Sequence, residues 1–169
     1  DGGKLQRRQD LPAEALWSAA ELRELAVALG DDFGVLFVAL SYRWLSKDHP
    51  DPDGFHLKIV AEVAALYLNV KMIEWGELDE FPSALTAAFR KHGLETPPDF
   101  ALFWDYASLT QKPRTADEEA LFLPGLRASN IWYGHARSVC WMQSELPEGF
   151  AFEPFVDEQT GVTRTPAQT

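Results

Sequence analysis

Residues 35–40, Val-Leu-Phe-Val-Ala-Leu, form an unbroken apolar run between Asp31-Asp32-Phe33-Gly34 and the polar Ser41-Tyr42-Arg43-Trp44. Such a run is too short to span a bilayer and too uniformly apolar for a half-exposed strand. It predicts a strand covered on both faces. Phe100-Ala101-Leu102-Phe103-Trp104, behind the break at Pro97-Pro98, is a second buried-strand candidate, and Ser138-Val139-Cys140-Trp141-Met142, stopped by Pro147, is the third strand expected.

Between them lie segments of helical period. Pro12 opens a helical stretch, and Ser18-Ala19-Ala20-Glu21 has capping-box spacing. Leu22, Leu25, Ala26 and Leu29 then share a face up to Gly30. Leu57, Val60, Ala61, Ala64 and Leu68 repeat the pattern after a Pro- and Asp-rich loop over 41–54. A short helix is expected over 82–91, ending at His92-Gly93, and a longer one from Ala116 to near Tyr133. Strands alternating with helices predict an α/β domain, a small parallel sheet of about three strands flanked by helices. The expected organisation is a polar arm over 1–10, the domain over 11–147 and an extended tail over 148–169. Phe150, Phe152 and Phe155 would strap that tail over a sheet edge.

Composition narrows the partners. Fifteen Lys and Arg against 26 Asp and Glu give a formal charge of -11, which repels phosphate backbones and disfavours nucleic acid and anionic membrane surfaces. No apolar run approaches the roughly 20 residues of a membrane span. Other protein subunits remain the expected partners, with peripheral contact to a membrane complex open. The only cysteine, Cys140, reads as packing in a reducing compartment, cytoplasm or organelle matrix or stroma. A first residue of Asp1 fits either a processed polypeptide or a trimmed fragment.

In an open parallel sheet, ligands bind beyond the carboxyl ends of the strands. That rule selects Ser41, Arg43 and Trp44 after the first run, and Asp105, Tyr106, Ser108 and Arg114 after the second. Arg43 and Arg114 suit a phosphate or carboxylate, Trp44 or Tyr106 a base, and Asp105 a ribose hydroxyl. The competing reading is structural: Asp and Ser after a strand cap helices or make Asx turns, and Arg43 pairs with Asp105. Neither glycine-rich phosphate loop occurs. His49 and Asp51 fall short of a metal spacing, so no metal is expected and the loop reads as a turn. His135 reads as a helix-end residue. Ile131-Trp132-Tyr133, Trp17 and Trp75 read as core.

The motifs Leu40-Ser41-Tyr42-Arg43-Trp44, His49-Pro50-Asp51-Pro52-x-Gly54 and Phe103-Trp104-Asp105-Tyr106-x-Ser108-Leu109-x-Gln111-x-Pro113-Arg114, followed by Glu118-Glu119, resemble a group of proteins from unicellular eukaryotes. These in turn resemble heterokaryon-incompatibility (HET) and Toll/interleukin-receptor (TIR) domains, over residues 34–146. The resemblance implies a flavodoxin-like sheet, self-association and, in some members, cleavage of NAD at the nicotinamide–ribose bond by a glutamate on a later helix. This chain departs from that pattern after its third strand. Gln143-Ser144-Glu145-Leu146-Pro147 stands where a Trp-Cys-x-x-Glu helix is expected, as though the domain were truncated. The expectation is a non-catalytic interaction module without cofactor, a peripheral accessory subunit of a larger assembly, such as a photosynthetic or respiratory complex of an organelle. The alternative is a TIR-like enzyme that binds or cleaves NAD or a related nucleotide.

Overall fold

A computed structural model describes residues 3–68, 82–97, 99–151, 154–156 and 161–164. The order is α1 (Ala19–Leu29), β1 (Phe37–Tyr42), α2 (Phe55–Tyr67), α3 (Ala84–Lys91), β2 (Ala101–Phe103), the single turn α4 (Asp105–Ser108), α5 (Ala116–Gly134) and β3 (Val139–Gln143). The three strands form one parallel sheet in the order β2-β1-β3. The chain is therefore α/β, with the central strand first in sequence.

Local chemistry fixes the helix starts. Ser18 and Glu21 complete the capping box of α1, and Thr115 and Glu118 build a second one at α5 with Thr in place of Ser. Ser83 caps α3 through the Thr86 amide. The N-terminal residues are docked on the domain: Leu5 is buried against Leu40 and Val60, and Gln9 exchanges two hydrogen bonds with Gln111, of 2.6 and 3.0 Å.

The order β2-β1-β3 reverses the direction of travel after β2. Right-handed crossovers then place successive helices on opposite faces. Packing follows that rule. Val38 and Leu40 face Val60 of α2 and Leu85 and Phe89 of α3, whereas Phe37 and Ala39 face Trp132 of α5; Leu22 of α1 packs against both sets. The Phe37 and Trp132 rings lie 4.6 Å apart. β1 is thus covered on both sides, as its apolar run requires.

The boundaries differ from the sequence reading in a consequential way. Residues 30–35 form a 3-10 turn and Leu36 keeps a right-handed helical backbone, so β1 begins at Phe37, two residues later than expected. Ser41 and Tyr42 therefore lie inside the strand, paired with Met142 and Gln143 of β3, rather than beyond its end. β3 is an edge strand and only partly covered: Met142 is 80% exposed. Ile131 is likewise 56% exposed, so only Trp132 of its aromatic run joins the core. Within the tail, Phe155–Val156 and Thr163–Arg164 pair antiparallel. Trp75, Phe152 and the Phe155 side chain lie outside the described residues. No described helix is long and apolar enough to cross a membrane.

Gly34 marks the closest approach of the 3-10 turn to the entrance of β3. A Cβ there would sit 3.0 Å from the Arg137 carbonyl oxygen and 3.4 Å from Val139 Cγ2. Backbone cannot yield as a side-chain tip does, so Gly34→Ala is expected to destabilise the fold by about 1–3 kcal/mol. A urea midpoint equal to that of the unsubstituted chain would show that the contact relaxes freely.

Candidate functional site

β1 and β2 are neighbours, so the ends of both strands meet at one edge of the sheet. There Asp105 is the hub. Its Oδ1 accepts from the Tyr42 hydroxyl at 2.6 Å and from the Tyr106 amide at 2.6 Å, and its Oδ2 accepts from the Trp44 indole at 3.1 Å. No ion pair joins Arg43 to Asp105 among the described residues, so the salt bridge expected from sequence is replaced by neutral donors. The Arg43 side chain is exposed, and its carbonyl accepts from His56 Nε2 at 2.8 Å.

Burial and this carboxylate act together on the phenols. Desolvation pushes the Tyr42 hydroxyl far above its ordinary value, and the charge of Asp105 adds to the effect. Tyr133 is pushed up to about 12 by burial, again reinforced by Asp105. Tyr42 therefore serves as a permanent donor to Asp105 and not as a base. Trp104 is stacked edge-on against Tyr42 at 5.6 Å, and its buried indole N–H makes no hydrogen bond of good geometry among the described residues, the Tyr42 hydroxyl being its near neighbour.

The other expected site residues have local duties. Tyr106 is buried beneath Trp44 and His49, with ring centroids 5.9 and 4.8 Å away. Ser108 Oγ accepts from the Trp104 amide at 3.1 Å and closes the α4 turn. Ser41 is half-buried within β1. Arg114 is not brought to the hub. Its Nε donates to the Thr110 carbonyl at 2.7 Å, it pairs with Glu119 at 3.2 Å, and its guanidinium lies 3.4 Å over the Phe122 ring. The side chain is only 7% exposed and is engaged by all three of these contacts.

Two residues that sequence reading passed over complete the cluster. The strand order reverses between β1 and β3, and their carboxyl ends are where a ligand crevice is expected. Side chains fill that position. Gln143, paired with Tyr42 in register, donates from Nε2 to His56 Nδ1 at 3.0 Å, while its Oε1 accepts from the Glu145 amide at 2.8 Å. His56 donates from Nε2 to Arg43 and packs edge-on against Tyr42 at 5.2 Å. These bonds set the tautomer of His56 and the orientation of the Gln143 amide.

The Pro-rich loop is a device for starting α2. Asp51 is fully buried and accepts from the amides of His56 and Leu57 at 3.0 and 2.8 Å, satisfying orphan donors at the helix N-terminus. His49 receives the Asp51 amide on Nδ1 and donates from Nε2 to the Leu5 carbonyl, both at 3.0 Å. The turn reading of this loop is the observed one. His135 closes α5, and Cys140 is half-buried in β3. Among the described residues no group of three or more His, Cys, Asp or Glu side chains is placed to hold a metal ion. No protein-family model, curated protein or solved structure matches the chain.

Proposed function

We propose that this chain is a non-catalytic protein-interaction module of TIR- or HET-like type, an accessory subunit of a larger assembly. The observation that supports it best is the mutual saturation of the strand-end groups. Asp105 is engaged by Tyr42, Trp44 and Tyr106, and His56 by Arg43 and Gln143. A nucleotide site needs carboxylates and donors aimed into open space, and here they are aimed at one another. The outer surface adds support: Leu123, Leu126 and Ile131 of α5 and Met142 of β3 are exposed, an apolar set suited to contact with another protein.

Incubation with NAD tests the reading. The expected result is no nicotinamide release above buffer, with the unsubstituted chain and Asp105→Ala alike. Release that disappears in Asp105→Ala would reject the module in favour of an NAD-cleaving enzyme.

A further inference from the structure

β2 is the second edge of the sheet, and among the described residues no further strand pairs with it. In a parallel ladder, alternate residues turn both backbone groups toward the same neighbour. Ala101 donates to the Leu36 carbonyl at 2.8 Å on the β1 side. Leu102 therefore turns its N–H and C=O outward, away from β1.

What lies outside is a cleft and not flat surface. The 3-10 turns at Arg8–Asp10 and Ala13–Ala15 run past the strand, held by the Gln9–Gln111 bonds and by the Trp17 indole, which reaches the Phe100 carbonyl at 3.4 Å. Between this segment and β2 is a space of about 670 Å³, within the range of ligand-holding clefts. Its apolar lining includes Trp17, Leu22 and Leu102. Its charged lining is Glu14, Glu21 and Asp99 against Arg8, three carboxylates to one guanidinium. An open strand edge asks for a polypeptide backbone, the apolar walls for alternate side chains, and the acidic rim for cations.

We propose that the cleft beside β2 takes an extended, lysine- or arginine-bearing polypeptide segment as an added strand of the sheet. This rests on the interaction-module reading and names the chemistry of one partner. Only Leu102 offers a full pair of outward groups, so affinity is modest and leans on charge, which the net charge of -11 reinforces at long range.

The test uses the full chain and a capped peptide of alternating Lys and Val, about ten residues long at roughly 3.3 Å each, enough to run past both ends of β2. A matched peptide of alternating Glu and Val is the control. On saturation with the Lys peptide, exchange of the Leu102 amide proton is expected to slow about tenfold or more, as for a newly paired strand. The Glu peptide should bind at least about tenfold more weakly, and Glu14→Lys should weaken the Lys peptide about threefold while leaving the thermal melt unchanged. Leu102→Pro, which removes the outward N–H, should abolish the protection; if that variant does not fold, Glu14→Lys still decides the charge dependence. Equal binding of both peptides, perturbation confined to residues remote from β2, or no binding would overturn the assignment. So would a dimer of the chain that protects Leu102 without peptide. In a chain that turns over no NAD, failure of the peptide removes the cleft assignment alone; Asp105-dependent NAD cleavage removes the module reading itself.

Discussion

Asp51→Ala is expected to destabilise the domain by about 3 kcal/mol, a large share of the roughly 5–15 kcal/mol available to a domain of this size. The carboxylate is fully buried and satisfies two backbone amides at the start of α2. Truncation leaves both donors dry, removes a helix cap and opens a small void. Loss of a cap alone costs about 0.5–2 kcal/mol, and each stranded donor about 1–3 kcal/mol, with overlap between the two accounts. Asp51→Asn keeps one acceptor oxygen but turns an amide NH2 toward a donor, so about half the loss is expected to remain. Asp53, two residues on, is exposed, and Asp53→Ala should stay within about 0.5 kcal/mol. Urea unfolding of the three variants checks the order. An Asp51→Ala midpoint no lower than that of Asp53→Ala would sink the capping account.

The damage should spread beyond α2. His56 is the second residue of that helix, and its ring joins Arg43 at the end of β1 to Gln143 at the end of β3. A shift in the first turn of α2 therefore loosens the ends of two strands. The loop that reads in sequence as a Pro-locked turn is thus also what sets the position of the buried histidine.

These particulars show which features the sequence carried on its face. β1 was legible because burial on both faces demands a continuous apolar run, and the start of α1 carries a local Ser-x-x-Glu pattern. The strand boundary was less legible, because Val35 and Leu36 are as apolar inside a 3-10 turn as they would be in a strand. Asp105 stood out through its place after β2, and its neighbours Trp44 and Tyr106 came with it. His56 did not stand out: it sits one position before the apolar stripe of α2, and its partner Gln143 is 87 residues away. Nothing local announces such a pair. Arg114 misled in the opposite sense, since its partners Thr110, Glu119 and Phe122 all lie within eight residues of it. A short-range reading of that segment would have placed it in a local packing role.

Alkaline titration should show no native tyrosinate with an ordinary pKa. The chain has four tyrosines, and all four, Tyr42, Tyr67, Tyr106 and Tyr133, are shifted upward, each chiefly by burial. Tyr67 has the Val35 carbonyl as its acceptor, and Tyr42 has Asp105. A raised phenol pKa stabilises the fold fully below the unfolded value, about 10, and that contribution is lost as pH rises toward the folded value. Above pH 10 the unfolded chain has released tyrosine protons that the folded chain retains. Each retained proton removes about 1.4 kcal/mol of stability per pH unit, and Tyr42, the phenol pushed furthest, gives that full slope over the widest range. Tyr133 is 37% exposed and contributes less than its share. Tyrosinate absorbance and far-ultraviolet circular dichroism should therefore change together, in one step sharper than a one-proton curve. Absorbance that rises around pH 10 while the dichroism stays native would mean that the hydroxyls reach water. Tyr42 would then be available at the strand ends, and the case for a closed polar cluster around Asp105 would fail with it.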